Sequence, residues 1–284
     1  MKNAEISAAM RGVLGQVFIN MPWRYLGTYI DLVLENRINI QIGFWADDLD
    51  RVSANTVLDA IGSIRRTGSR VTAHGPFMDL CPGSVDPLIR KVTASRLARL
   101  LDLLEQIRPE QLVCHTGFDP RHHRTHFRDW VENSLTTWEP LVRTAEKLRM
   151  PLLLENVFEE GPELHLELIE KIRSPWFGFC LDVGHQHSFS PITLDRWLEA
   201  VWPHLKEVHL HDNDKSLDSH SPIGSGTFDF DYLFDFMREK KISPVLTLEP
   251  HTVEHMVESV GRLAQTASFK RFAGARSGRP GTGG

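Results

Sequence analysis

Short apolar, β-branched runs alternate along this chain with longer segments whose apolar residues recur at helical spacing, the pattern of repeated βαβ units around a parallel sheet. Eight runs read as strands: Val13–Ile19, Ile38–Gly43, Arg70–His74, Gln111–His115, Pro151–Glu155, Phe177–Asp182, Glu207–His211 and Val245–Glu249. The intervening segments carry helix signals. Ser53 and Thr193 stand where N-caps belong, and Leu97, Leu100, Leu101 and Leu104 make an apolar stripe. Eight strand–helix units close most naturally into a single α/β domain, a (β/α)8 TIM barrel. An open doubly wound sheet is the alternative, but the expected glycine-rich phosphate loop is missing after the first strand, where Ile19-Asn20-Met21-Pro22-Trp23 stands. The barrel is expected over residues 1–268 and a disordered, Gly- and Arg-rich tail over 269–284.

Length fits this reading: the chain has 284 residues, and a TIM barrel takes ~250. The formal charge of −5 gives no general polyanion binder, so nucleic acid is a disfavoured partner. The chain lacks an apolar run long enough to span a bilayer and a leader-like N-terminus, and its three cysteines suit reduced thiols. A soluble cytoplasmic protein is expected, with a homo-oligomer open.

The chemistry gathers at strand ends. His74, His115, Glu155, Asp182 with His185, His209 and His211, and Glu249 all stand at or within three residues of the end of a predicted strand. In a barrel these ends converge on one rim, where active sites lie. Glu155 and Glu249 each follow an apolar run, so their burial is costly unless a cation or a donor meets them. Oxygen and imidazole donors suit Mn, Zn, Co or Mg, and no cysteine stands among them. His209 and His211, two apart on a strand, face the same side, which leaves open which one binds first. His122, His123, Arg121 and Arg124 read as a solvated basic loop, with a substrate phosphate as the functional alternative. Trp45 and Phe77, with Trp23, Phe44 and Phe118, are candidate walls of a sugar site.

Seven segments together resemble the xylose isomerase-like barrel superfamily, over roughly residues 13 to 265. They are Thr72-Ala73-His74-Gly75-Pro76-Phe77, Cys114-His115-Thr116-Gly117, Leu153-Leu154-Glu155-Asn156, Leu181-Asp182-Val183-Gly184-His185, His209-Leu210-His211-Asp212-Asn213, the Asp218–Gly226 loop and Leu248-Glu249-Pro250. The epimerase-like branch implies one divalent ion on Glu155, Asp182, a strand-seven histidine and Glu249. His185, and with it His74 and His115, would then contact substrate, and Glu155 and Glu249 would act as base and acid through an enediolate. The endonuclease IV branch implies three zinc ions, held by His74, His115, Glu155, Asp182, His185, His209, Asp218, His220 and Glu249, and cleavage of abasic DNA. A metal-dependent sugar or sugar-phosphate isomerase or epimerase is the favoured expectation, because the early rim loops are short and one is acidic. The AP endonuclease-like hydrolase is the alternative, and a non-catalytic sugar-binding barrel a remote third. Ketose 3-epimerase-like members carry an arginine six residues past the strand-seven histidine, where this chain has Lys215 counted from His209 or Leu217 counted from His211, so the substrate stays open.

Overall fold

The structure, a computed structural model, describes residues 6–277. Eight parallel strands close in sequence order into a barrel: β1 (Phe18–Pro22), β2 (Asn39–Gly43), β3 (Val71–His74), β4 (Leu112–His115), β5 (Leu152–Glu155), β6 (Phe177–Asp182), β7 (Leu205–Leu210) and β8 (Val245–Leu248). Closure runs through Phe18 opposite Thr247 and Ile19 opposite Leu248. Helices return the chain between strands and bury their apolar stripes on the outside of the barrel. Leu97, Leu100, Leu101 and Leu104 all point inward from the helix Pro87–Ile107.

Two expectations are corrected. The first strand begins at Phe18, and Val13 and Leu14 belong instead to a preceding helix, Ala8–Leu14. Ser7 caps that helix by accepting the Met10 N–H, and Gly15 ends it. The supposed tail is structured over most of its length. A helix, Ala267–Ser277, buries Phe269 and Phe272 against Phe234; residues 278–284 lie outside the described region.

Strand register sets up the rim. His115 pairs with Glu155 across β4 and β5, and Asp182 with His209 across β6 and β7. Two residues earlier on each strand, alternation puts Val113, Leu153, Cys180 and Glu207 on the same inward face. Val113, Leu153 and Cys180 form a small buried cluster apart from the main core. Glu207 is fully buried beside them, its carboxylate accepting from Gln41 Nε2 at 2.7 Å, from Thr247 Oγ1 at 2.5 Å and from Gln111 Nε2. Three neutral donors thus meet a carboxylate that would otherwise be costly to bury. All three cysteines are free, and burial pushes the Cys114 and Cys180 thiols up, so both stay protonated.

Candidate metal centre

Glu155, at the end of β5, is the hub. Its Oε2 lies 3.0 Å from His74 Nε2, 3.3 Å from His115 Nε2 and 3.5 Å from His209 Nδ1, and its Oε1 lies 3.3 Å from His185 Nδ1. Burial works against its charge, but the His115 and His209 imidazoles and hydrogen bonds from His115 and His185 hold it well below the usual carboxylate range. Beside it, His209 Nδ1 is 3.1 Å from Glu249 Oε1 and 3.8 Å from Asp182 Oδ2. Glu249 is steadied from β1 by Asn20 Nδ2 at 3.0 Å.

A third group forms outside this pair. His185 Nε2 and His220 Nε2 stand 3.3 and 3.2 Å from Asp218 Oδ2, and His211 Nδ1 is 3.6 Å from Asp218 Oδ1. Burial opposes charge on both Asp218 and His220. Their mutual contact wins, helped by His185 on one side and by Glu249 and Asp182 on the other. Asp218 is driven down, and His220 is pushed up to about 9.

The loop carrying Asp218 and His220 is folded over the rim by Asp212, which accepts backbone N–H groups of Asn213, Gly224, Gly226 and Phe228. Glycine is required at 226, where a Cβ would fall 2.3 Å from the Asn213 carbonyl oxygen. It is required more sharply at 184, where a Cβ would fall 1.9 Å from the His211 ring. Gly184→Ala is expected to displace His211, cost about 3 kcal/mol or more, and weaken cation binding at this third group. Thermal melting and metal analysis check this, and a variant matching wild type in both would overturn it.

The imidazoles are pre-set as ligands. His74, His185 and His220 each donate Nδ1–H to a backbone carbonyl, those of Gly75 (2.8 Å), Asn156 (3.0 Å) and Glu249 (3.1 Å), which leaves Nε2 free to face a carboxylate. His209 turns Nε2 toward Glu207, at 3.4 Å, and its Nδ1 is buried without a hydrogen-bond partner. His211 Nδ1 and Asp218 Oδ1 are likewise buried and unpartnered. Orphaned lone pairs aimed at one another's neighbours fit a divalent cation.

Among the described residues the donors fall into five overlapping groups: His74, His115 and Glu155; Glu155, Cys180 and His209; Glu155, Asp182 and His185; Asp182, His211 and Glu249; and His185, His211, Asp218 and His220. His209 Nδ1 further gathers Glu155, Asp182 and Glu249 into a central set. His209 stands in the central set. His211 instead sends Nε2 to Asp182, at 3.0 Å, and stacks on His220 with ring centroids 3.8 Å apart. Asp182 also caps the helix Val183–Phe189 through the His185 N–H at 2.7 Å, so capping and ligation are both open to the same carboxylate. Sulfur is closer than the sequence suggests, since Cys180 lies with Glu155 and His209.

Other expected residues separate. Trp45 and Phe77 line the cavity above the donors, and Phe77 stacks on His115 at 4.4 Å. Lys215 does not line it; exposed and held at φ 72°, it leaves the candidate set. Arg121 is committed to Asp119 and Arg124 to Glu160, and only His122 and His123 of that loop reach the cavity. Sequence reasoning passed over Asn20, Gln41, Glu207, Asp212 and His251, whose ring stacks on His220 at 4.4 Å. For Glu207 one signal was present: a carboxylate in a buried strand two residues before His209.

Known proteins share this architecture. MJ1311 of Methanocaldococcus jannaschii is 26% identical over 196 residues, covering 66% of this chain and 67% of that protein. The probable endonuclease 4 of Mycoplasmopsis pulmonis is 22% identical over 163 residues, 53% of this chain and 57% of its own length. Among solved structures, the TTHB071 protein from Thermus thermophilus, soaked with ZnCl2, superposes with a TM-score of 0.72 at 24% identity, over 93% of this chain and all of the other. A D-tagatose 3-epimerase-like protein superposes at 0.75 with 20% identity, over 92% and 100%. The fold is therefore one that sugar epimerases also use. The description "Xylose isomerase-like TIM barrel" matches residues 39–269, and to that family this chain belongs.

Proposed function

We propose that this chain is a divalent-metal hydrolase that cleaves a phosphodiester. The observation that carries the reading is a run of overlapping donor groups, several of them joined through Glu155, that extends from His74 and His115 to Asp218 and His220 and takes in Glu249 through His209. A mononuclear sugar centre needs only the central set, with His74 and His115 left to contact substrate, and it gives Asp218 and His220 no ligand role. Charge points the same way. Asp218 is held down and His220 pushed up to about 9 by their contact, so a proton on His220 stands where a cation would otherwise meet Asp218.

His74, His115 and Glu155 would hold one ion, Glu155, Asp182, His209 and Glu249 the second, and His185, Asp218 and His220 the third. When bound, such ions lower the pKa of water and neutralise charge developing on the attacking and leaving oxygens. The chain's own part is to fix that geometry. Glu155 ties the first two sets together, the carbonyls of Gly75, Asn156 and Glu249 hold the imidazole tautomers, and Glu207 orients His209.

A metal-dependent sugar or sugar-phosphate isomerase or epimerase is the second reading. It is favoured by the central set, in which Glu155 and Glu249 face His209 from opposite strands, and by the epimerase-like structures of the same fold. The two readings separate on metal content and turnover of protein purified without chelator. About three zinc ions per chain with metal-dependent release of p-nitrophenol from bis(p-nitrophenyl) phosphate is the expected result. One ion per chain together with epimerisation of a ketose would overturn it.

A further inference from the structure

The cavity above the donor sets measures about 1000 Å3. That lies at the top of the ~300–1,000 Å3 range of small-molecule sites and far exceeds the needs of one sugar ring. Its floor holds the metal donors. Its walls away from them are aromatic and apolar, with Tyr25, Tyr29, Phe44, Trp45, Phe77 and Met78 among them. Four of these are unusually open for apolar or aromatic side chains: Tyr25 is 55% exposed, Trp45 42%, Phe77 39% and Met78 62%. Exposed apolar surface gathered at a site mouth marks what binds there.

Phe77 joins the two halves of the cavity. Its ring stacks on His115 and meets His74 edge-on at 5.8 Å, so a flat group lying on Phe77 is within reach of the Glu155 set. Trp45 is braced as a second platform by the Arg24 guanidinium, 4.3 Å from its ring centroid and held by Asp48 at 2.8 Å.

Charge argues against a nucleic-acid strand. No lysine or arginine lines the cavity among the described residues. Nearby cations are spent internally: Arg24 on Asp47 and Asp48, Arg96 on Asp50, Arg121 on Asp119 and Arg124 on Glu160. Duplex DNA presents a charge every ~1.7 Å and is gripped by unpaired cations along its path. This mouth offers aromatic rings instead.

We propose that the substrate is a small phosphodiester bearing a bulky, flat, apolar substituent, which packs on Phe77 and Trp45 while the phosphate lies over the Glu155 set. The proposal rests on the phosphodiesterase reading. Water adds to phosphorus, one P–O ester bond breaks, and the proton that water gives up ends on the departing alcohol; the products are a phosphomonoester and an alcohol.

The test keeps the leaving group constant and varies the other arm. Methyl, phenyl and 1-naphthyl p-nitrophenyl phosphates are given to the zinc-loaded full chain, and binding of diphenyl phosphate is followed by calorimetry. KM is expected to fall about tenfold from methyl to naphthyl with kcat little changed, a step worth ~1.4 kcal/mol. Diphenyl phosphate should bind measurably. In a Trp45→Ala/Phe77→Ala double variant the methyl-to-naphthyl ratio of KM should collapse toward one. Hydrolysis with a KM indifferent to the substituent overturns the proposal while leaving the phosphodiesterase reading intact. Abasic-site DNA cleaved at a far lower KM than any aryl diester overturns it in favour of a nucleic-acid substrate. No hydrolysis of any diester by a chain holding three zinc ions removes the reading beneath it.

Discussion

Glu155→Gln is expected to lower kcat/KM by roughly four orders of magnitude, on the scale seen when a charged member of a catalytic set is removed, and to strip metal from two of the three donor sets. One carboxylate meets imidazoles delivered by β3, β4, β7 and the helix after β6, so removing its charge affects every one of those contacts at once. Glutamine keeps the volume and the acceptor oxygen, and the fold should survive the change. Its amide nitrogen, however, cannot accept, and the neutral group no longer offsets the cations it would bridge. Circular dichroism, metal analysis and kinetics on an aryl phosphodiester separate these effects. Near-wild-type turnover with full metal content would sink the assignment of Glu155 as the shared ligand. A loss of activity with full metal content would restrict its role to the chemistry itself.

Sequence patterning reached the barrel because each β/α unit carries its own local signal, and it reached the rim because chemistry-bearing residues stand at strand ends. It failed where a short run was read without its flanking caps and where burial depends on partners far away in the chain. Val13 and Leu14 look like the start of a strand because a short apolar run has no period long enough to tell strand from helix, and the deciding features, Ser7 and Gly15, lie at its edges. Phe269 and Phe272 were lost in Gly- and Arg-rich surroundings, although a spacing of three is what a helix needs to lay both rings on Phe234. The choice between His209 and His211 was beyond alternation, since both share a face. In the structure His209 faces Glu155 and Glu249, whereas His211, one residue beyond the end of β7, faces Asp182 and stacks on His220. Lys215 and Arg121 looked available only because their backbone angle and their carboxylate partner are not written in local sequence.

Removing metal should lower the melting temperature, and the size of the loss should depend on pH in a defined direction. A cation bound only by the folded chain at about a thousand times its Kd stabilises it by ~4 kcal/mol per site, which for a chain of this size corresponds to roughly 8–16 °C. In the protein without cations, His220 is pushed up to about 9 from an ordinary 6.5 by Asp218, Glu249 and Asp182, burial notwithstanding. A raised folded-state pKa makes the proton itself stabilising: that contribution is complete below 6.5 and is lost as pH rises through about 9. The chelated protein should therefore lose this contribution between pH 6.5 and 9. The zinc-loaded protein should run the other way, because the cation displaces the same proton, and its apparent affinity for the His185, Asp218 and His220 set rises by up to about tenfold per pH unit until His220 no longer carries one. The gap in melting temperature between loaded and chelated protein is thus expected to widen from pH 6.5 to 9, measured by scanning calorimetry in buffers that do not bind zinc. A gap that stays constant or narrows would mean that His220 is not a ligand, and the absence of any gap would mean that the three donor sets do not hold cations at all.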